Sequence, residues 1–207
     1  MYDLRTPVPI DLEIIDNFLD QSYIDLIEDW LLRHGKWSYR PNISGDPWGK
    51  IENPWFHGLG IKIHDPSCPE RDTFDSTGYT IMIPAILKIQ ETFGLPLNLM
   101  ESCIRARFDM TLKSPENSIH DPHVDFNSPH YACILYINDS DGDTVIYNER
   151  EYTNESAYRR TEFTIKKTIS PKKNRLVFFN GAYCHTGHSP SKHQNRILLN
   201  SNYSIPL

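Results

Sequence analysis

The chain has 207 residues and a mass of 24.1 kDa, with 21 lysines and arginines against 27 aspartates and glutamates, a formal charge of −6. That length suits one domain, and an acidic chain with no long basic run is poorly equipped to grip phosphate backbones by charge, so no nucleic-acid partner is expected. Apolar residues at 39% and aromatics at 12% exclude wholesale disorder, and no stretch nears the ~20 apolar residues that span a bilayer, so no membrane partner is expected either. The first residues, Met1-Tyr2-Asp3-Leu4-Arg5-Thr6-Pro7, lack the basic start and apolar run of a signal peptide. Cys68, Cys103, Cys133 and Cys184 are widely spaced, with no C-x-x-C pair. Both features fit reduced thiols in a cytoplasmic setting.

Leu12 to Leu19 reads as a short strand running into a turn. Asp20 or Ser22 then caps a helix over Tyr23–Arg33, whose apolar positions Tyr23, Ile24, Ile27, Trp30 and Leu31 recur at helical spacing before Gly35 ends it. Gly35–Arg71, rich in Pro, Gly and Trp, reads as irregular. A second helix is expected over Pro84–Phe93, with Pro84 in its first turn and Gly94 after its last. From Ser102 the pattern changes to strands: Cys103–Leu112, His130–Asn138, Thr144–Asn148, Glu162–Ile169, Arg175–Phe179 and Arg196–Ser204, separated by turn clusters such as Asp139-Ser140-Asp141-Gly142. Helices first and strands after predict an antiparallel sandwich or barrel with the early helices packed outside it.

Three segments carry chemistry. In His120-Asp121-Pro122-His123-Val124-Asp125 an extended backbone puts His123 and Asp125 on one face, two thirds of a 2-His-1-carboxylate iron site. An isolated H-x-D is most often a surface turn. In Phe178-Phe179-Asn180-Gly181-Ala182-Tyr183-Cys184-His185-Thr186-Gly187-His188 an apolar strand delivers a turn with two histidines, either of which can supply the third ligand. Arg196 opens the last strand; a buried guanidinium needs an anion, and its planar fork suits a carboxylate, the plainer alternative being a salt bridge at a strand end. Asp139-Ser140-Asp141-Gly142-Asp143 lacks the ligand pattern and flanking helices of a calcium loop.

In order and spacing, H-x-D, His185 and Arg196 resemble the Fe(II)/2-oxoglutarate-dependent dioxygenases, and more narrowly their prolyl 4-hydroxylase-like branch. Tyr131-Ala132-Cys133-Ile134-Leu135-Tyr136-Ile137-Asn138, the Asp141-Gly142-Asp143-Thr144 turn and Lys173-Asn174-Arg175-Leu176-Val177-Phe178-Phe179 are similar to that branch's text, over about Ser102 to Tyr203. The resemblance implies a mainly β fold with flanking helices and a double-stranded β-helix core, a jelly roll of the cupin kind. It implies one oxygenase domain over 1–207, with 1–101 a support region and 102–207 the core. His123, Asp125 and His185 then hold Fe(II), while Arg196 with the Tyr136 hydroxyl binds the far carboxylate of 2-oxoglutarate. O2 is the second cosubstrate and ascorbate a reductant. The reaction implied is hydroxylation of a C–H bond, of a prolyl or other amino-acid residue, with release of succinate and CO2. The substrate is a peptide, a protein or a small amino-acid-like molecule. Two departures are Asp141 where the family has glycine and Ala132 where several relatives carry threonine.

His185 is preferred to His188 because the spacings to Pro190 and Arg196 then fit the family better. His120 is expected on the opposite face from His123, behind the ligands or at the surface, and His130 and His193 in surface loops. Arg105 and Arg107 alternate on one strand and are candidates for orienting a substrate carboxylate or backbone, the alternative being ion pairs with the many acids. Glu149–Thr161 is either a lid or an exposed loop. The competing functions are a non-catalytic cupin-like binding protein and a metal-dependent hydrolase with the same ligands, which leaves Arg196 without a task.

Overall fold

The computed structural model describes residues 10–41, 43, 56–64, 76–97, 102–116 and 118–205. Cys68 and much of the 35–71 stretch lie outside these. In chain order the elements are β1 (Leu12–Ile15), α1 (Gln21–Arg33), β2 (Ser38–Arg40), β3 (Gly58–His64), α2 (Ser76–Thr92), β4 (Cys103–Leu112), β5 (His130–Tyr136), β6 (Thr144–Arg150), α3 (Asn154–Arg159), β7 (Ile165–Ile169), β8 (Leu176–Asn180), β9 (Tyr183–Gly187) and β10 (Asn195–Ser204).

The first helix buries Ile24, Ile27, Trp30 and Leu31, the stripe its periodicity predicts. Asp20 takes the N-cap position without a side-chain bond, and its carbonyl receives the Ile24 N–H. At the other end Gly35 passes so close that an added Cβ would lie 2.7 Å from the Leu31 carbonyl oxygen. The second helix starts eight residues before the position expected from the sequence, so Pro84 sits in its interior rather than its first turn. Proline there offers no N–H to the preceding turn. The Ile81 carbonyl also accepts the Tyr23 hydroxyl, tying the helix to α1, and burial of Met82, Ala85, Ile86 and Ile89 holds the helix together. Gly94 follows at φ +64, the left-handed stop that glycine allows.

Two antiparallel sheets face each other, one of seven strands in the order β1-β8-β5-β10-β4-β3-β2, the other β7-β6-β9. Side-chain alternation divides the large sheet. One set of residues, including Phe108, Tyr131, Cys133, Leu135, Phe178, Ile197, Leu199 and Tyr203, packs with α1 and α2. Phe178, fully buried, stacks on Phe93 with ring centroids 3.8 Å apart. The alternate set, Ala132, Ile134, Tyr136, Val177, Phe179 and Leu198, packs against Ile146, Ile169 and Tyr183 of the small sheet. The H-x-D segment joins that small sheet through bridges Ile119 to His188 and His123 to His185. The result is the double-stranded β-helix with flanking helices that the sequence implies.

Two further local expectations are corrected. The 35–71 stretch is not uniformly irregular, because it supplies β2 and β3, which extend the large sheet beside β4. Cys184-His185-Thr186 is not a turn but the centre of β9, paired to β6 and buried throughout.

Candidate active site

The pocket between the sheets opens where β4 and β10 run past the H-x-D segment and β9. His123 and His185 exchange backbone bonds, His123 N–H to His185 O at 3.0 Å and His185 N–H to His123 O at 2.9 Å, so the two residues stand directly opposite. Their rings lie 4.7 Å apart, and one donor atom each from His123, Asp125 and His185 falls within 4.8 Å of the others.

A backbone carbonyl can only accept, which fixes both imidazole tautomers. His123 Nδ1–H donates to Asp121 O at 3.0 Å and His185 Nδ1–H to Tyr183 O at 3.1 Å, leaving each Nε2 lone pair for an ion. Burial is the main cause that keeps both imidazoles neutral, lowering His185 and bringing His123 down to about 4. Burial works against ionisation of Asp125, but the adjacent Arg105 guanidinium holds its carboxyl well below the usual range. Two neutral imidazoles and one carboxylate at this separation form the donor set of a facial-triad iron site, so the residues present fit Fe(II).

Along the same cavity wall lies Arg196, 5% exposed. One of its terminal nitrogens donates to Thr144 Oγ1 at 2.6 Å, and the same oxygen accepts the Tyr136 hydroxyl at 2.6 Å. The guanidinium lies 5.5 Å over the Tyr136 ring, and its buried Nε has no partner among the described residues. Gly187 and Gly142 make room for it: an added Cβ would come within 3.3 Å of Nη1 at the first and 3.0 Å of Cδ at the second. A buried cation with an unsatisfied N–H beside two hydroxyls, walled by Ile134 and Leu198, fits a carboxylate ligand.

The other sequence candidates fall out as follows. His188 is partly exposed and stands apart from the cluster, with its backbone N–H on Asp143 O. His120 is buried, neither on the surface nor behind the ligands; it lines the cavity beside Arg196, with Nε2 2.9 Å from Ser189 Oγ and its ring against Phe56. His130 is likewise buried rather than in a surface loop. It opens β5 where Gly181 has no side chain to block it. His193 is at the surface, bound to Asp141, which also takes the backbone N–H groups of Ser191, Lys192 and His193. Desolvation opposes ionisation of that carboxyl, yet these donors lower its pKa.

Arg107 lines the cavity with Nε on Asp109 Oδ2 at 2.8 Å, whereas Arg105 is committed to Asp125 at 2.5 Å. Glu149–Thr161 contains α3, capped by Thr153 Oγ1 and packed through Ala157 on Val124 and Cys184. Asn154 Oδ1 accepts the N–H of Val124, between the two ligands. Thr144 and Asn202 carry site contacts that sequence reasoning did not assign. Thr144 stood in a turn noted only for its resemblance, and Asn202 gave no signal.

Residues 110–204 match the model of the 2OG-Fe(II) oxygenase superfamily, a span that contains the three clustered ligands, Tyr136, Thr144 and Arg196. Over that span, just under half of the chain, the protein is similar to this superfamily, an enzyme class of dioxygenases and hydroxylases that works with Fe(II) and 2-oxoglutarate. No curated protein shows significant similarity to the sequence. Among solved structures it resembles a prolyl hydroxylase from Trichoplax adhaerens in complex with a hypoxia inducible factor peptide fragment, at 14% identity and TM-score 0.63, covering 95% of this chain and 84% of that one. A prolyl-4-hydroxylase from Pseudomonas putida gives 13% identity and TM-score 0.54, with 96% and 95% covered. The epimerase SnoN, in complex with Fe3+, alpha ketoglutarate and nogalamycin RO, gives 13% and 0.58, with 94% and 78% covered. Likeness at these identities is one of fold. Among the described residues no helix is long and apolar enough to cross a membrane.

Proposed function

We propose that the protein hydroxylates a C–H bond of an amino-acid residue, free or in a peptide and with proline foremost, using Fe(II) held by His123, Asp125 and His185 and 2-oxoglutarate held by Arg196. The chain acts in this reading as one oxygenase unit. When bound, the iron and 2-oxoglutarate supply the oxidising chemistry: O2 is reduced, the cosubstrate leaves as succinate and CO2, and C–H becomes C–OH.

The chain's own groups set the geometry for this. The carbonyls of Asp121 and Tyr183 lock the ligand tautomers. Arg196 receives the far carboxylate of the cosubstrate, with Thr144 fixed between it and the Tyr136 hydroxyl, and Ile134 and Leu198 keep water from that end. Arg107, on the cavity wall, is the candidate for a substrate carboxylate or carbonyl. The prolyl reading is supported by the resemblance of Tyr131–Asn138 and Lys173–Phe179 to the prolyl-hydroxylase branch and by the two prolyl hydroxylases of similar fold.

The observation that carries the reading is the pairing in one cavity of a 2-His-1-carboxylate cluster with a buried arginine whose Nε is unsatisfied. A metal-dependent hydrolase would have no task for that arginine. The test is succinate release from 2-oxoglutarate under air with Fe(II), followed by NMR without added substrate. Slow release that stops under nitrogen and that in Arg196→Ala needs far more 2-oxoglutarate supports the proposal; none at any iron or cosubstrate concentration contradicts it.

A further inference from the structure

Asp125 reaches the cluster from the connection between β4 and β5, yet both its oxygens are gripped by the large sheet. Arg105 Nη2 donates to Oδ1 at 2.5 Å, and Asn202 Nδ2 donates to Oδ2 at 2.9 Å. Asn202 also accepts Arg105 Nε on its own Oδ1 at 3.1 Å, closing a three-membered ring of side chains. Arg105 and Asn202 are cross-strand partners in the β4–β10 register, so the sheet fixes their separation. The Phe126 ring lies 4.8 Å from the guanidinium, Asn202 is fully buried, and the Arg105 and Asp125 side chains are 14% and 4% exposed. Desolvating a charge pair this deeply costs free energy that the attraction scarcely returns, so stability alone is a weak reason for it.

We propose that Arg105 and Asn202 are positioning residues that clamp Asp125, presenting one carboxylate oxygen to the metal and withholding the other. The inference rests on the metal-site reading above and adds what sets that ligand's orientation. Oδ2 is the oxygen turned toward His185, 3.6 Å from its Nε2, while Oδ1 stays with the guanidinium. An unclamped carboxylate is free to turn and to offer both oxygens, occupying a position that a cosubstrate needs. Arg105 thus serves the metal ligand from behind and is not a substrate contact.

Residues that orient a metal ligand typically change affinity by ~10–100-fold when removed. The test uses Mn(II), whose free ion is counted by EPR, and Co(II), whose visible bands report coordination. Wild type binds both and Asp125→Ala binds neither; if wild type fails to bind, or Asp125→Ala binds equally, the metal-site reading itself fails. With that reading intact, Arg105→Met is expected to bind Mn(II) about 10–100-fold more weakly and to show altered Co(II) bands, with Arg105→Lys intermediate. Asn202→Ala, which keeps the ion pair, is expected to shift both readouts in the same direction and covers the case in which Arg105→Met does not fold. Wild-type affinity and unchanged Co(II) bands in the folded variants overturn the clamp.

Discussion

At the end of the cavity where His123, Asp125 and His185 meet, each imidazole Nδ1–H has a carbonyl and both carboxylate oxygens have donors. At the Arg196 end the guanidinium meets one hydroxyl, and its Nε meets nothing among the described residues. The first end is fully oriented and carries lone pairs ready for a cation. The second is a desolvated cation short of an anion. Two ends finished to different degrees in one cavity are what a site for a metal and a dicarboxylic cosubstrate requires, because each end supplies the charge the other lacks.

Breaking the oriented end should have the largest effect. Asp125→Ala or His185→Ala is expected to abolish metal retention and turnover while far-ultraviolet circular dichroism stays native; His188→Ala, outside the cluster, should leave both nearly unchanged. If His188→Ala is the damaging change instead, the ligand assignment is wrong. At the other end, Arg196→Ala removes the partner of a buried carboxylate, a loss of about 2–5 kcal/mol, so KM for 2-oxoglutarate should rise at least some thirty-fold in steady-state assays. Thr144→Val keeps the shape but strands the Tyr136 hydroxyl and an Arg196 N–H, costing about 1–3 kcal/mol between folding stability and cosubstrate binding. A thermal melt with and without 2-oxoglutarate separates those shares.

The smallest effect lies away from both ends. Asp16, bound to Arg175 and Lys172, has its carboxyl brought down from 3.8 to about 2 by those hydrogen bonds. A depressed folded-state pKa stabilises above the unfolded value and is lost on acidification, here between about pH 4 and pH 2. Asp16→Asn should flatten the acid limb of a denaturation curve over that window with turnover at neutral pH unchanged; an unaltered limb would remove the pair from the account.

What the sequence made legible was what local pattern can carry. The α1 stripe, β4 and the alternation of β5 and β10 follow from periodicity alone, and the ordered H-x-D, His185 and Arg196 identify the cluster before any contact is known. β9 escaped because Cys184-His185-Thr186-Gly187 is polar in text while both its faces are buried, one of them by the site itself. α2 escaped at its start because Ser76-Thr77-Gly78 are poor helix formers and Pro84 is a stronger local stop than the packing of Met82 and Ala85 lets it be. Arg105 read as a candidate for the substrate because its partners, Asp125 and Asn202, are remote in sequence. His120 and His130 likewise gave no hint of burial, which depends on Phe56 and on the missing side chain of Gly181. Substrate identity is not carried by the fold: the neighbours include prolyl hydroxylases and an epimerase.

The most direct test of the two-ended cavity is an anaerobic titration of the purified protein with Fe(II) and then 2-oxoglutarate, watched for the weak visible charge-transfer absorption of the cosubstrate chelated to a facial-triad iron. The account predicts a band in the wild type, its loss in Asp125→Ala for want of iron, and its appearance in Arg196→Ala only at much higher 2-oxoglutarate. Iron binding without any band, at saturating 2-oxoglutarate, would contradict it.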